Sequence, residues 1–142
     1  MFSRKANQND YKEIMNIWEE SVLATHSFLK EKDREYIKKE IPSYFPHLDI
    51  QLWCEGDETV GFSGIQGQHL EMLFLHPNKI GKGFGSSIIT SLINDFNVTT
   101  VDVNKDNEQA VKFYMKNGFY VANQSGFDAS GRPYPILNLR LK

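Results

Sequence analysis

The stretch that decides the fold is LFLHPNKIGKGFGSS, residues 73–87. An apolar strand pattern enters a loop with glycines at positions 81, 83 and 85, and a helical pattern follows immediately. Glycine lets backbone N–H groups approach an anion because no Cβ stands in the way. The helix start adds unsatisfied N–H groups and a partial positive charge, and Lys79 and Lys82 add formal charge. The stretch therefore predicts a cradle for a phosphate or pyrophosphate.

Two nucleotide-binding motifs and a plain turn are the alternatives for this loop. A Walker A loop requires G-x-x-x-x-G-K-[ST], which these residues do not match. A Rossmann loop requires G-x-G-x-x-G, but the sixth position counted from Gly81 or Gly83 is Ser86 or Ile88. A tight turn with positive φ would also use glycine, although three alternating glycines beside a helix exceed what one turn requires. The pattern favours an anion site outside these two nucleotide folds.

The rest of the chain predicts a mixed sheet with helices. Seven segments show strand patterns: 2–6, 50–55, 60–65, 69–75, 99–103, 119–124 and 136–141. Four segments show helical spacing: 11–25, 33–41, 84–96 and 107–116. We expect Asp10 to be the N-cap of the first helix and Pro42 to end the second. Short central connections indicate hairpins and the later helices indicate crossovers. The fold class is therefore α/β (α+β), a mixed, mostly antiparallel sheet flanked by helices.

Length, charge and cysteine content restrict the class of protein. The 142 residues suit one domain over 1–142. With 16 basic and 18 acidic residues the net charge is −2, which argues against nucleic-acid binding. No apolar run approaches the roughly 18 residues of a membrane span. A single cysteine, Cys54, and a first segment without a signal-peptide pattern predict a cytoplasmic location. No histidine or cysteine spacing typical of a metal site occurs, so we predict no metal.

Four stretches resemble the GNAT superfamily of acetyl-CoA-dependent N-acetyltransferases, and together they span nearly the whole chain. The most specific is NEQAVKFYMKNGF, residues 107–119, which is similar to the family pattern N-x-x-A-x-x-F-Y-x-x-x-G-F. Residues 71–85 resemble the family's pyrophosphate loop and the strand before it. The stretches WEESVLATHSFL, residues 18–29, and GRPYP, residues 131–135, resemble a group of small bacterial GNAT proteins. The resemblance implies a GNAT fold and an N-acetyltransferase activity.

The resemblance also implies how the chain would bind acetyl-CoA, its cosubstrate. The main chain of Leu73, Phe74 and Leu75 is expected to pair with the pantetheine arm, as a strand with unpaired groups can. The N–H of Leu73 would polarise the thioester carbonyl. Asn107 would hydrogen-bond the cofactor or brace the last helix, and it is also an ordinary N-cap residue type. The expected loop contacts are Gly81, Lys82, Gly83, Phe84, Gly85 and Ser86.

The reacting groups follow from the same resemblance and from side-chain chemistry. Tyr114 matches the family tyrosine that protonates the departing sulfur, and a phenol stays protonated at neutral pH; the alternative is a core tyrosine. Glu71 is the expected base, or else an ordinary solvated glutamate. His26 and His69 are competing bases expected to line the substrate site, although His26 also fits a helix C-cap. Tyr134 is expected to wall the acceptor pocket, with core packing as its alternative.

One position departs from the family pattern and leaves a second function open. Ile80 stands where the family loop usually has Gln or Arg, and Lys79 or Lys82 is expected to compensate. The leading hypothesis is acetyl transfer to a primary amine of a small molecule, a protein lysine or an N-terminus, by direct attack in a ternary complex. The alternative is an acyl-CoA-binding regulatory module without turnover. The oligomeric state expected is a monomer or a homodimer, with no membrane partner.

Overall fold

A computed structural model describes the whole chain, residues 1–142, and has the predicted order of elements. Seven strands form one sheet in the order β1-β2-β3-β4-β5-β7-β6. The strands are β1 (Phe2–Lys5), β2 (Asp49–Glu55), β3 (Glu58–Gln66), β4 (His69–Leu75), β5 (Thr100–Asn104), β6 (Phe119–Ser125) and β7 (Ile136–Leu141). The pair β4–β5 is parallel, whereas β1–β2, β2–β3, β5–β7 and β6–β7 are antiparallel. The predicted mixed sheet is confirmed.

Four α-helices accompany the sheet: α1 (Tyr11–Thr25), α2 (Glu31–Glu40), α3 (Phe84–Phe96) and α4 (Glu108–Lys116). Short 3₁₀ turns lie at Gln8–Asp10, Ile41–Ser43, Phe45–His47 and Pro77–Lys79. No helix is both long enough and apolar enough to cross a membrane. The sequence prediction misplaced at least one end of β1, β2, β3, β5, β6, α2 and α4 by one or two residues.

Two predicted helix boundaries have a different physical cause from the one expected. Asp10 occupies the N-cap position of α1, but its side chain does not cap the helix. Its carboxylate instead accepts hydrogen bonds from both terminal nitrogens of Arg4 (3.0 and 2.8 Å) and from the backbone N–H of Asn7 (2.9 Å). The second helix starts at Glu31 and ends at Glu40, and Pro42 lies inside the 3₁₀ turn that continues it. Proline is tolerated early in such a turn because its missing N–H has no partner there.

The chain divides into two compact units. The first contains Met1–Gln66 and Glu71–Gly85, and the second contains Gly67–Leu70 and Ser86–Lys142. The first unit has a core in which α1 contributes Ile14, Ile17, Trp18 and Val22. The same core contains Ile50, Leu52 and Phe62 of the strands and Ile41 and Phe45 of two 3₁₀ turns. Met72 and Phe74 of β4 pack against it. That packing decides which face of β4 turns inward.

The second unit buries one row of side chains from β5 and one from β7. Val101 and Val103 of β5 and Leu137 and Leu139 of β7 are buried, whereas Asp102 between them is exposed. Helix α3 buries Ile88, Ile89 and Leu92, and helix α4 buries Tyr114. Alternation with a period of two is the expected signature of strands with one buried face. It leaves the polar row of β5 for the hydrogen bonds described below.

Candidate active site

The glycine loop has the backbone that the sequence predicts for an anion cradle. Gly81 and Gly83 have φ of 80° and 86°, a region that side-chain-bearing residues rarely adopt. A Cβ added at either position would meet no atom within 4 Å, so open space surrounds this backbone. Helix α3 begins at Phe84, directly after the second of these glycines. The first N–H groups of α3 have no carbonyl partner within the helix, which makes this end suited to an anion.

An ion pair and an aromatic contact hold one lysine of this loop. Lys79 donates a hydrogen bond to the carboxylate of Glu58, the first residue of β3. Its side chain is only 18% exposed. Its Nζ also lies 5.9 Å from the centroid of the Phe84 ring, within cation–π range. The hydrogen bond from Lys79 lowers the pKa of the Glu58 carboxyl. Lys82, by contrast, is exposed between the two glycines.

Strand β4 has one face in the core and one face away from it. Met72 and Phe74 pack against the core of the first unit. Glu71 belongs to the opposite row and is exposed, so the alternative of a solvated carboxylate describes its surroundings. The ladder between β4 and β5 contains two residue pairs, His69–Thr100 and Leu70–Val101.

Strand β3 approaches the end of β4 unusually closely at a glycine. A Cβ added at Gly61 would lie 2.3 Å from the carbonyl oxygen of Phe74 and 2.9 Å from the Cα of Leu75. One residue earlier in β3, the carbonyl of Val60 accepts a hydrogen bond of 2.9 Å from the N–H of His76. Gly61 therefore allows β3 to lie close to the part of the β4 main chain for which the resemblance implies a contact with pantetheine.

Helix α4 supports the tyrosine that the sequence predicts as the general acid. Tyr114 is 6% exposed, and its ring contacts Phe113 and Phe119 at centroid distances of 5.1 and 5.7 Å. Burial raises the pKa of the Tyr114 hydroxyl, because the charged phenolate would lose its hydration. The side chain of Asn107 accepts a hydrogen bond of 3.3 Å from the N–H of Ala110, which confirms its N-cap role.

His26 occupies the C-cap position of α1, as its alternative interpretation predicted. Its imidazole ring contacts the side chain of Thr25. Thr25 Oγ1 donates to the carbonyl of Ser21 (2.7 Å) and lies 2.7 Å from His26 Nδ1. The single hydroxyl proton of Thr25 is donated to Ser21, so the Thr25 oxygen can only accept a hydrogen bond from His26. The proton of the neutral ring is therefore on Nδ1, and Nε2 is left as a hydrogen-bond acceptor. The ring lies near Phe28 and Phe74, and burial lowers its pKa to about 4. His26 is therefore neutral at pH 7.

His69 is held on both ring nitrogens within the second unit. Its Nδ1 lies 2.6 Å from Thr100 Oγ1, and its Nε2 lies 3.3 Å from Asp102 Oδ2. Asn138 donates to the other oxygen of Asp102 at 2.9 Å. The hydrogen bond from His69 lowers the pKa of Asp102. This bridge between β4, β5 and β7 favours a structural role for His69 over the predicted substrate contact.

Comparison with known proteins identifies the family. The model of the acetyltransferase (GNAT) domain matches residues 13–133. The chain belongs to the GNAT family. The match runs through both compact units, and the activity that goes with it is acetyl-CoA-dependent N-acetyl transfer.

Individual GNAT relatives agree over almost the full length of the chain. A peptidyl-lysine N-acetyltransferase of Escherichia coli K12, YjaB, is 38% identical over 139 residues, which are 96% of this chain and 93% of that protein. Its Salmonella typhimurium counterpart is 35% identical, with shares of 96% and 94%. The solution structure of apo-form YjaB from E. coli superposes with a TM-score of 0.88 at 36% identity, covering 98% of this chain and 95% of that one.

The predicted GNAT site residues differ in their surroundings. The segment 73–75 lies in β4, and residues 81–86 form the loop after it and the start of α3. Tyr134 is 7% exposed, so packing describes its side chain better than the predicted wall of an acceptor pocket. No three His, Cys, Asp or Glu side chains gather as a possible metal site.

Three residues of consequence were missed by the sequence interpretation: Glu58, Gly61 and Asp102. An isolated glycine inside a strand pattern is a known signal of close backbone approach, so Gly61 had a detectable signature. Glu58 and Asp102 had none, because their partners Lys79 and His69 are 21 and 33 positions away in the sequence.

Proposed function

We propose that this GNAT protein transfers the acetyl group of acetyl-CoA to the side-chain amine of lysine in a peptide or protein. The observation that carries the proposal is the 38% identity, over 96% of the chain, to a peptidyl-lysine N-acetyltransferase. The glycine loop supports acetyl-CoA as the donor, because open, positive-φ glycines and the start of α3 provide N–H groups for a pyrophosphate.

The proposed assignments give each residue one task. Bound acetyl-CoA would supply an acetyl group as a thioester. The N–H of Leu73 donates a hydrogen bond to the thioester carbonyl oxygen, and Leu73–Leu75 hold the pantetheine arm through their main chain. The ladder from β4 to β5 contains pairs only at His69 and Leu70, before this segment begins, which supports that use of its backbone groups.

Proton transfers complete the proposed reaction. Glu71, through a water molecule, accepts the proton that the acceptor ammonium must lose before its nitrogen can attack. The new C–N bond forms as the C–S bond breaks, and Tyr114 donates its hydroxyl proton to the departing thiolate. The second proton that the nitrogen loses on becoming an amide returns to the Tyr114 oxygen, so that only the proton held by Glu71 is released to solvent. The buried surroundings of Tyr114 keep this hydroxyl protonated at neutral pH. We assign His26 Nε2 as a neutral acceptor for a hydrogen bond from the acceptor amine, because the contact with Thr25 occupies Nδ1.

An acceptor screen tests the proposal. The chain is incubated with acetyl-CoA and three acceptor sets: N-terminally blocked lysine peptides, lysine-free peptides with free N-termini, and small amines including polyamines. Release of free CoA thiol measures turnover, and mass spectrometry locates the acetyl group. We expect turnover with the blocked lysine peptides. Transfer to small amines or N-termini alone overturns the lysine assignment, and acetyl-CoA binding without thiol release favours the regulatory module.

A further inference from the structure

We propose that Glu58 and Lys79 are a positioning pair that holds the glycine loop in its anion-binding shape, while Lys82 meets the phosphate charge. The inference rests on the proposed binding of acetyl-CoA at this loop. The sequence left open which of the two lysines compensates for Ile80, where the family usually has Gln or Arg. The structure gives the two lysines different surroundings and so different roles.

The loop needs something to hold it, because its backbone is unusually free. Gly81 and Gly83 give up more conformational freedom on folding than other residues would. Both have open space where a side chain would be, so no packing of their own restrains them. The restraint must come from neighbouring side chains on the loop or at its two ends.

Lys79 is that restraint, since it joins three elements. It ends the 3₁₀ turn at Pro77–Lys79 that leads into the loop. Its ammonium pairs with Glu58 at the start of β3 and faces the ring of Phe84, the first residue of α3. The loop between Lys79 and Phe84 is thus tied to β3 before it and to α3 after it. The Lys79 side chain is 18% exposed and that of Glu58 is 68% exposed, so water is partly excluded from the lysine side of the pair alone.

The same contacts make Lys79 a poor direct ligand for phosphate. A phosphate bound by Lys79 would lie beside the Glu58 carboxylate, and like charges at that distance repel each other. Lys82 has no such partner, is exposed, and lies between the two glycines whose backbone is open. Lys82 is also close enough to Glu58 to contribute to lowering its pKa, so its charge acts in this region.

The two roles for Lys79 predict opposite results for one substitution. Glu58→Gln removes the partner of Lys79 and keeps the size of the side chain. If Lys79 is a positioning residue, the loop loosens and acetyl-CoA binds more weakly, by about threefold for a pair of this exposure. If Lys79 is instead a phosphate ligand restrained by Glu58, the substitution releases it and acetyl-CoA binds more tightly.

The experiment measures the Kd of acetyl-CoA by calorimetry for wild type, Glu58→Gln, Lys79→Met and the double variant. We expect each single variant to weaken binding by about threefold and the double variant to add little, because both remove one interaction. Lys82→Met should weaken binding by about tenfold, since a charge-assisted contact to phosphate is lost. In turnover assays, Glu58→Gln and Lys79→Met should each raise the KM for acetyl-CoA and leave kcat unchanged.

The matched control is Glu55→Gln. Glu55 faces Glu58 across the same β2–β3 turn, but it pairs with the N-terminal amine at 3.4 Å. The Kd of acetyl-CoA for the Glu55→Gln variant should equal the wild-type value. Lys79→Arg keeps the charge and should bind within twofold of wild type, which separates loss of the pair from a damaged fold. Melting temperatures of all variants are recorded for the same purpose.

Unchanged or tighter binding by Glu58→Gln overturns the positioning role, and so does additive loss in the double variant. These outcomes are independent of the acceptor, because the readout is acetyl-CoA binding alone. A wild-type chain that binds acetyl-CoA but acetylates no lysine peptide contradicts the lysine assignment. The role of the Glu58–Lys79 pair is then still decided by the Kd values of its variants. A wild-type chain that binds no acetyl-CoA contradicts both.

Discussion

At the scale of single residues, the buried position of Tyr114 is compatible with core packing and with the proposed general-acid role. Its ring packs between Phe113 and Phe119, and the motif at 107–119 places it in the last turn of α4. Both interpretations that the sequence left open are compatible with this placement. A tyrosine that is mostly buried keeps its proton, which is the state a general acid needs before thiolate departs.

Tyr114→Phe is expected to abolish most turnover and leave acetyl-CoA binding intact. Phenylalanine keeps the ring and its packing but has no proton to donate. General acid catalysis contributes about 10²-fold or more, so kcat should fall by about that factor. Calorimetry with acetyl-CoA and thiol release with a lysine peptide measure the two quantities. Tyr120→Phe, which changes an exposed tyrosine of β6, is the control and should behave as wild type. Turnover by Tyr114→Phe near the wild-type rate removes the general-acid assignment.

At the scale of elements, the position of β4 depends on β3. Alternation along a strand puts Met72 and Phe74 of β4 on one face, and both pack against the core of the first unit. The alternation said nothing about how closely the neighbouring strand approaches. That approach requires a glycine at position 61, since any Cβ there would overlap the Phe74 carbonyl.

Gly61→Ala is expected to destabilise the fold and to weaken acetyl-CoA binding together. The added Cβ would stand 2.3 Å from a backbone oxygen, so β4 must shift rather than a side chain turn. Overpacking of this kind costs about 1–3 kcal/mol. Urea unfolding and the Kd of acetyl-CoA report the two effects.

Gly64→Ala provides the comparison within the same strand. Its Cβ would meet the terminal carbons of Ile50 and Leu48 at 3.0 and 3.3 Å, and such flexible ends can move aside. We expect a smaller loss of stability and unchanged acetyl-CoA binding. If both alanine variants bind acetyl-CoA equally well, β3 does not position the binding segment of β4.

At the scale of the whole molecule, ionisable groups whose pKa values differ between the folded and unfolded chain set the response to acid. The folded protein holds His26 neutral down to about pH 4, whereas an exposed histidine takes up a proton near pH 6.5. The unfolded chain therefore binds more protons than the folded protein between those values. The free energy of unfolding must fall as pH falls from 6.5 towards 4. Asp10 and Asp102, whose pKa values are lowered by Arg4 and His69, add a further loss at lower pH.

Urea unfolding at pH 7 and pH 5 checks this response. Wild type should be less stable at pH 5, and His26→Gln should show a smaller difference between the two pH values. His47→Gln changes an exposed histidine and should keep the wild-type difference. An equal difference in all three proteins means that His26 is not the group responsible.

The sequence by itself determined the order of the elements, the family and the glycine loop. These features are local: periodicity, glycine spacing and the motif at 107–119 all lie within short windows. Only the tertiary structure decided that Glu58 meets Lys79, that Gly61 lies against Phe74, and that His69 bridges three strands. Such contacts depend on strand register and on residues far apart in the chain, and no local pattern encodes them.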